Sequence, residues 1–373
     1  MNKTLAVLLG VSGLGNAVLG YLLYQLDRKT AVLLKELRAV VAPAQATPVP
    51  IVVKSPPSPR PQLPPQPEPA PQPITAALPP PKPEPALATE PMLSGAVAAG
   101  LPVEQDAAAD TVMDGADLGS LCIRAVSQRG PRNRADHRHR RDSYLLHAFR
   151  EFPRPVLLSA VAAGNPVGSR SQEGAVLVCR SLATHLGALA APLAGAVGDS
   201  SSPAPDSAAT GDLILTALRG AAGNLDRLAA RHQVGTDDIA VEIAVLLSPL
   251  GGLRHRRHLL FTVGSGGLRT LRDGVWQDDD SPAASAWSAA TTLPSALSTL
   301  RWRVLDTAPG DVLTLGTGAT LRLFAHPATA DALAAAWHPA VPGLHCYLHD
   351  TVTAVPGDAD RTLITLWHTP STH

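Results

Sequence analysis

The chain has 373 residues, and its 31 Lys and Arg residues balance its 31 Asp and Glu residues, which gives a formal net charge of zero at pH 7. A chain with no excess of positive charge lacks a global electrostatic attraction for nucleic acid, so we expect no nucleic-acid partner. Many of the 36 prolines fall in residues 43–92 and exclude a packed core there, which leaves room for one sizeable folded domain.

The first predicted element is a transmembrane helix. Leu5–Leu23 contains no charged residue and is close to the ~20 residues that cross a bilayer. It predicts a membrane anchor at residues 1–30. A secretory signal peptide is the alternative, but the small-x-small sequence at Ala44–Ala46 lies too far beyond the apolar stretch. More basic residues follow this stretch than precede it, which predicts a single-pass protein of the cell membrane with its C-terminal domain in the cytoplasm.

Residues 31–118 are predicted to form a juxtamembrane segment and a disordered linker rich in Pro and Ala. The repeated Pro-x-Pro spacing in residues 43–92 favours an extended polyproline II conformation. Such a segment serves as a semi-rigid spacer or as a ligand for SH3-like modules. We favour the spacer, because no flanking signature selects a partner.

Residues 119–373 are predicted to fold as one α+β domain. Apolar runs rich in β-forming residues predict strands at 121–126, 143–149, 155–162, 239–247, 258–264, 301–306, 311–316 and 362–367. Leu and Ala at helical spacing predict two helices between the third and fourth strands, at Val176–Ala196 and Leu213–Arg231. A later helix is predicted at Thr329–Trp337. This order of elements favours an antiparallel sandwich with helices packed on it.

Short motifs occur along this domain in a particular order. They are Ser-Gln-Arg-Gly-Pro at 127–131, Arg-Asp at 141–142, an apolar strand ending in Ala-Ala-Gly at 162–164, Val-Gly-Ser-Gly at 263–266, Leu-Gly-Thr-Gly at 315–318 and Gly-Asp-Ala-Asp-Arg-Thr at 357–362. In order and spacing they resemble the PP2C (PPM) family of metal-dependent serine/threonine phosphatases, in particular its bacterial and actinobacterial members. The resemblance implies an α/β/β/α sandwich of two antiparallel sheets.

The resemblance also implies a paired Mn or Mg site, at which this chain keeps few carboxylates. Asp142 matches a metal-binding Asp of the family. The positions of four other Asp residues carry neutral ones: Ala163, Ser265, Thr317 and Ala359. A one-residue slip at the last position would offer Asp358 or Asp360 instead.

Two divalent ions ~4 Å apart repel by on the order of 16 kcal/mol at an effective dielectric near 20, and only carboxylates offset that repulsion. Ala and Thr supply no negative oxygen. We therefore expect no paired metal site, no cofactor and no catalytic residue, with Asp142 a vestigial ligand for at most one weakly bound ion.

A dense basic run, Arg132–Arg141, lies immediately before Asp142 and is called the basic loop below. Guanidinium groups pair bidentately with phosphate oxygens, so one interpretation of this run is a loop that binds a phosphorylated segment or an anionic lipid, whereas a solvated surface loop is the favoured interpretation. The candidate phosphate-binding residues are Arg129, Arg138, Arg140 and Arg141. A second basic run, Arg254–His258, is predicted to be an exposed hairpin loop.

Together these features predict a membrane-anchored, cytosolic pseudophosphatase that acts in signalling as a regulatory module or as a binding module for a protein partner, either phosphorylated or not. Two alternatives stay open. One is a divergent phosphatase that uses Asp142 with Asp358 or Asp360 and a single metal ion. The other is a structural tether that positions the domain without recognising phosphate.

Overall fold

The computed structural model describes residues 109–370, apart from 151, 153, 204, 278–288 and 354–356. The predicted anchor at residues 1–30 and the linker up to residue 108 lie outside the described residues. Within the described range, no single helix is long and apolar enough to cross a membrane. One pair of helical segments, Ser171–Ala188 and Ala190–Ala196, has the length and composition to do so together, but it is bent by 84°.

The described part of the chain contains twelve strands and seven α-helices, together with short 3-10 segments. The strands are β1 (Thr111–Asp117), β2 (Leu121–Gln128), β3 (Ser143–Phe149), β4 (Val156–Gly164), β5 (Gly198–Asp199), β6 (Val241–Pro249), β7 (Arg256–Val263), β8 (Gly267–Arg272), β9 (Val275–Gln277), β10 (Arg301–Thr307), β11 (Val312–Gly316) and β12 (Arg361–His368). The α-helices are α1 (Pro131–Ala135), α2 (Ser171–Ala188), α3 (Ala190–Leu193), α4 (Ser207–His232), α5 (Gly318–Leu321), α6 (Pro327–Trp337) and α7 (Leu344–Thr353).

The strands form two antiparallel sheets. The first sheet has the order β1-β2-β12-β11-β8-β9, and the second has the order β10-β7-β6-β4-β3 with the short β5 paired to β7. The first sheet joins strands that are far apart in the sequence, since β2 pairs with β12 along its whole length. The sheet therefore assembles only when both ends of the domain come together.

Three apolar clusters show how the layers pack. Helices α2 and α4 cover one face of the second sheet, the two sheets pack on each other, and α6 and α7 cover the outer face of the first sheet. Strand β4 is buried on both faces: Leu158 and Ala160 belong to the helix-facing cluster, whereas Leu157 and Val161 face the other sheet. The predicted α/β/β/α sandwich of two antiparallel sheets is confirmed.

The two long helices begin earlier than their apolar patterns predict. Helix α4 starts after Asp206, whose side chain accepts hydrogen bonds from the N–H groups of Ala208 (2.9 Å) and Ala209 (3.2 Å). Such a cap satisfies backbone donors that the first turn leaves unpaired. The apolar pattern begins only at Leu213, because the first turns carry small and polar side chains.

Two segments differ from the sequence-based expectation. The predicted linker 31–118 contains β1, whose exposed side chains give no apolar signal because β1 lies at the edge of the sheet. In the second basic run, Arg256, Arg257 and His258 are buried at the start of β7. The prediction of an exposed loop was wrong for these three residues, since Arg256 donates to the carbonyls of Pro249 and Gly251 and to Ser120 Oγ.

Candidate functional site

A cavity of about 130 Å³ opens at one end of the sandwich, where loops from both sheets meet. It gathers residues that the sequence places far apart. Asp142 immediately precedes β3, Ala163 lies near the end of β4, Ser265 lies in the turn between β7 and β8, and Ala359 precedes β12. The fifth position, Thr317 at the end of β11, contacts Asp142 directly. The structure therefore brings together all five positions that the family resemblance singled out.

Asp360 is a buried carboxylate that holds the loops around the cavity. It accepts hydrogen bonds from the backbone N–H of Gly130 (2.6 Å), from Asn133 Nδ2 (2.9 Å) and from the backbone N–H of Arg141 (2.6 Å). Gly130 packs so tightly on the backbone of Ala359 that a Cβ atom there would lie 2.3 Å from its carbonyl carbon. Asp360 thus ties the basic loop to the start of β12 and has its oxygens occupied by N–H donors.

Asp142 lies in the interior beside Asp360. Its Oδ2 accepts a hydrogen bond of 3.1 Å from Thr317 Oγ1. Burial raises the pKa of Asp142 well above its usual range, and the nearby Asp360 carboxylate raises it further, whereas hydrogen bonds from Thr317 and Thr362 oppose the shift only in part. A raised pKa favours the neutral acid when no cation is bound beside it.

Glu242 is a cavity residue that the sequence analysis missed. It lies on β6, is 3% exposed and pairs across the sheet with Ala163. Ser265 Oγ donates a short hydrogen bond to Glu242 Oε2. Burial raises the pKa of Glu242, and the Ser265 contact and the Arg322 guanidinium oppose this in part. The signal that could have found it is its position as the single charged residue within the apolar strand Val241–Pro249.

Two of the four candidate phosphate-binding arginines line the cavity. They are Arg138, which is exposed, and Arg141, whose backbone N–H binds Asp360. Arg132 and Arg322, which were not among the candidates, line it as well. Arginines from two separate segments of the chain, residues 132–141 and the segment after α5, therefore line the same space.

The other two candidates, Arg129 and Arg140, make contacts within the fold. Arg129 is 2% exposed, forms an ion pair of 2.8 Å with Asp110 and donates to the carbonyl of Arg138 (3.0 Å). Arg140 is buried and donates to the carbonyls of Asp142 (3.1 Å) and Ser127 (2.9 Å). Both buried guanidinium groups therefore hold the backbone in and around the basic loop in place by hydrogen bonds to its carbonyls.

The carboxyl groups at the cavity do not form a ligand set for paired dications. Across the described part of the chain, no group of three or more His, Cys, Asp or Glu side chains is arranged to hold a metal ion. Asp360 is occupied by N–H donors, and four of the five positions at which the resemblance expects a metal-binding Asp carry Ala163, Ser265, Thr317 and Ala359. These residues do not fit the two-metal site that the family resemblance implies.

Comparison with solved structures identifies bacterial phosphatases of similar fold. They include the serine/threonine phosphatase PstP/Ppp of Mycobacterium tuberculosis (15% identity, 67% of this chain and 99% of that chain, TM-score 0.43) and the PPM Ser-Thr phosphatase MsPP of Mycobacterium smegmatis (16%, 66% and 97%, 0.42). A third is the serine/threonine phosphatase of S. agalactiae (12%, 69% and 99%, 0.44).

No protein-family model matches the sequence, and no curated protein matches it. At these identities and TM-scores the likeness to the solved structures transfers no activity. In fold, the chain is similar to the PP2C-type (PPM) serine/threonine phosphatases.

Proposed function

We propose that this protein is a membrane-anchored, PP2C-like pseudophosphatase that binds a phosphorylated protein partner as a regulatory module. The observation that carries the proposal is the composition of one cavity. It gathers the positions at which a PP2C-type catalyst needs carboxylates, and four of them carry Ala163, Ser265, Thr317 and Ala359.

The loss of metal-dependent catalysis follows from charge. Paired dications repel strongly at ~4 Å and need several ionised carboxylates between and around them. Here Asp142 is the carboxyl group that remains at the matched positions, and its burial against Asp360 favours the protonated form. Asp360 accepts hydrogen bonds from three N–H groups in and beside the loop, so its carboxylate stabilises the fold.

Phosphate binding is supported by the arrangement of the basic loop. Arg138 and Arg132 are exposed at the cavity, where their guanidinium groups can form paired hydrogen bonds with phosphate oxygens. The backbone beneath them is held by Arg129 on the Arg138 carbonyl and by Asp360 on the Arg141 N–H. A loop that is already ordered loses less entropy when it binds a ligand.

The membrane anchor and the cytoplasmic location of the domain remain proposals that rest on the sequence. The apolar stretch Leu5–Leu23 and the basic residues after it support them. The Pro-rich segment at 43–92 would then hold the domain away from the bilayer as an extended spacer.

The test is binding of O-phosphoserine to the full-length protein, measured by calorimetry at pH 7 with serine as the comparison ligand. We expect O-phosphoserine to bind and serine not to bind. Replacing Arg138→Ala should weaken binding on the order of tenfold, because a charge-assisted contact is lost. The matched control is Arg219→Ala, which removes an exposed arginine of helix α4 and should leave the affinity unchanged.

Two results would overturn the proposal. Hydrolysis of a phosphoserine peptide in the presence of Mn²⁺, lost on Asp142→Ala, would make the protein a divergent phosphatase. Absence of O-phosphoserine binding would favour the structural tether without phosphate recognition.

A further inference from the structure

Two exposed histidines lie one turn apart on helix α7. The helix packs on the first sheet through Tyr347 and Thr351, which are buried. His345 and His349 lie on the opposite, solvent-facing side, and the His349 side chain is 56% exposed. Among the histidines that the structure describes, these two alone are spaced four residues apart on one helix. The residues that line the cavity come from other segments, so the pair belongs to a separate surface.

The spacing of the two histidines suits one metal ion. Residues four apart in an α-helix differ by about 40° around the helix axis, and their Cβ atoms lie about 5–6 Å apart. Both imidazole rings can then direct a nitrogen at the same ion, as the two histidines of helical zinc motifs do. Cys346 follows His345 directly and points about 100° away from it, so it is not counted as a ligand. A site with two ligands also agrees with the described part of the chain, which holds no group of three.

The neighbouring Asp350 orients the His349 ring. The ring Nδ1 lies 3.7 Å from Asp350 Oδ1. The other carboxylate oxygen, Asp350 Oδ2, accepts a hydrogen bond of 3.2 Å from Nε1 of the buried Trp337. A carboxylate held behind Nδ1 favours the proton on that nitrogen and leaves Nε2 as the metal-binding atom. The carboxylate also places a negative charge close to the bound cation.

The charges and ligand atoms on this surface favour a transition-metal ion. One cationic side chain contacts the segment just before α7: Arg124 Nε donates to the carbonyl of Pro342 (3.2 Å), and Arg124 is already paired with Asp117 (2.8 Å). The positive end of the α7 dipole lies near His345 and disfavours a cation only slightly. Imidazole nitrogens suit zinc, whereas magnesium and manganese prefer oxygen ligands. The pair therefore selects a different class of metal from the one used by PP2C-type phosphatases.

We propose that His345 and His349 form a zinc site on the exposed face of α7. Nε2 of His349 and a ring nitrogen of His345 bind the ion, and Asp350 is a positioning residue that acts through His349. Two protein ligands leave two positions of a tetrahedral ion for water. The site is therefore exchangeable and is not a structural zinc centre. In metal-free buffer the two rings are ordinary exposed side chains.

The test is calorimetric titration of Zn²⁺ into the metal-free, full-length protein at pH 7.5. We expect one zinc ion per chain. His345→Gln and His349→Gln should each weaken zinc binding by more than about tenfold, because a single imidazole ligand remains. The matched control is His147→Gln, which removes an exposed histidine of strand β3 and should keep the wild-type affinity.

Asp350→Asn tests the positioning role. Asparagine keeps an acceptor for Trp337 Nε1 and removes the negative charge behind His349. Zinc affinity should fall about tenfold, whereas the near-UV circular dichroism of the metal-free variant should stay that of the wild type. Wild-type zinc affinity in Asp350→Asn would show that the carboxylate does not act on the site.

Chemical modification locates the ion in the wild-type chain. Diethyl pyrocarbonate acylates accessible imidazole nitrogens, and mass spectrometry of the digested protein gives the extent of reaction at each histidine. Zinc should protect His345 and His349. It should leave the exposed His147 and His255 as reactive as before.

Three results would overturn the zinc site. They are absence of zinc binding, unchanged zinc affinity in either α7 histidine variant, and equal modification of His345 and His349 with and without zinc. None of these measurements involves the cavity, so their failure would leave the proposed phosphate recognition standing. Loss of O-phosphoserine binding would likewise leave the zinc site standing.

Discussion

Thr317 Oγ1 donates a hydrogen bond of 3.1 Å to Asp142 Oδ2 in the interior of the sandwich. The contact joins the end of β11 in the first sheet to the residue before β3 in the second, and Thr320 Oγ1 lies 3.0 Å from the same hydroxyl. The family resemblance places metal-binding carboxylates at both positions. A hydroxyl paired with a buried carboxyl group needs no cation between the sheets, because the pair is neutral once Asp142 is protonated.

Replacing Asp142→Asn should stabilise the protein at alkaline pH. In the unfolded chain Asp142 loses its proton above its ordinary pKa near 3.8. In the native state the raised pKa keeps the proton bound to higher pH. The stability from this group is therefore complete at low pH and decreases as pH rises toward the native pKa. Urea unfolding at pH 8 should show a gain of roughly 1–3 kcal/mol for Asp142→Asn. A loss of stability that is equal at all pH values would contradict a protonated Asp142, and Asp212→Asn on the surface of α4 is the control.

Asp360→Ala should destabilise the domain strongly. It removes the acceptor for three N–H groups, those of Gly130, Asn133 and Arg141. Each buried donor left unpaired costs about 1–3 kcal/mol, so we expect a loss of roughly 3–5 kcal/mol in thermal or urea unfolding. Asp358→Ala, two residues earlier with an exposed side chain, should change stability by less than about 0.5 kcal/mol. Similar losses in the two variants would argue against Asp360 as the carboxylate that holds the loop.

Gly264→Ala should cost more stability than Gly274→Ala. Both glycines have positive φ, +97° and +77°, so an alanine is strained at each, by about 1 kcal/mol. Only at Gly264 would the added Cβ also meet Glu242, at 2.4 Å from Cγ. We expect a total loss above about 2 kcal/mol at Gly264. Equal effects of the two substitutions on stability would show that Glu242 is not packed against this turn.

Buried His258 should make the protein sensitive to acid. Its ring lies between Ser248 Oγ (2.9 Å) and Thr307 Oγ1 (2.8 Å), and burial lowers its pKa from 6.5 to about 3. Below pH 6.5 the unfolded chain binds a proton at His258, whereas the native state does not. The free energy of unfolding therefore decreases as pH falls from 6.5 toward 3.

Between pH 7 and pH 5 this single group accounts for about 2 kcal/mol. His258→Gln should lose correspondingly less stability over that interval, measured by urea unfolding at both pH values. His345→Gln, an exposed histidine of α7, serves as the control and should follow the wild type. An unchanged acid dependence in His258→Gln would contradict a neutral, buried His258.

The fold could be predicted from the sequence where a strand is buried along its length, because its residues then form a continuous apolar run. Strands β4 and β6 are apolar on both faces, and the motifs that end the strands placed Asp142, Ala163 and Ser265 at one cavity. The pattern fails where burial is decided by distant partners. Arg256 resembles part of a surface loop until β7 pairs with its neighbours and brings three acceptors to its guanidinium group.

The sequence predicted which positions meet at the site, but it did not predict Glu242 or the separate roles of the arginines. The position of Glu242 opposite Ala163 depends on the register between β4 and β6, which a single sequence does not contain. Likewise, nothing in the basic run distinguishes Arg138, which lines the cavity, from Arg129 and Arg140, which support the loop. That distinction arises only when Asp110, Ser127 and other partners are in place.

Titration of Mn²⁺ into the full-length protein at pH 7, followed by calorimetry, tests the central claim most directly. The proposed pseudophosphatase should bind no manganese, or one weakly held ion that is lost on Asp142→Ala, because four of the five matched positions carry no carboxylate and Asp360 is already occupied by N–H donors. Tight binding of two ions would contradict this account and would restore a metal-dependent phosphatase.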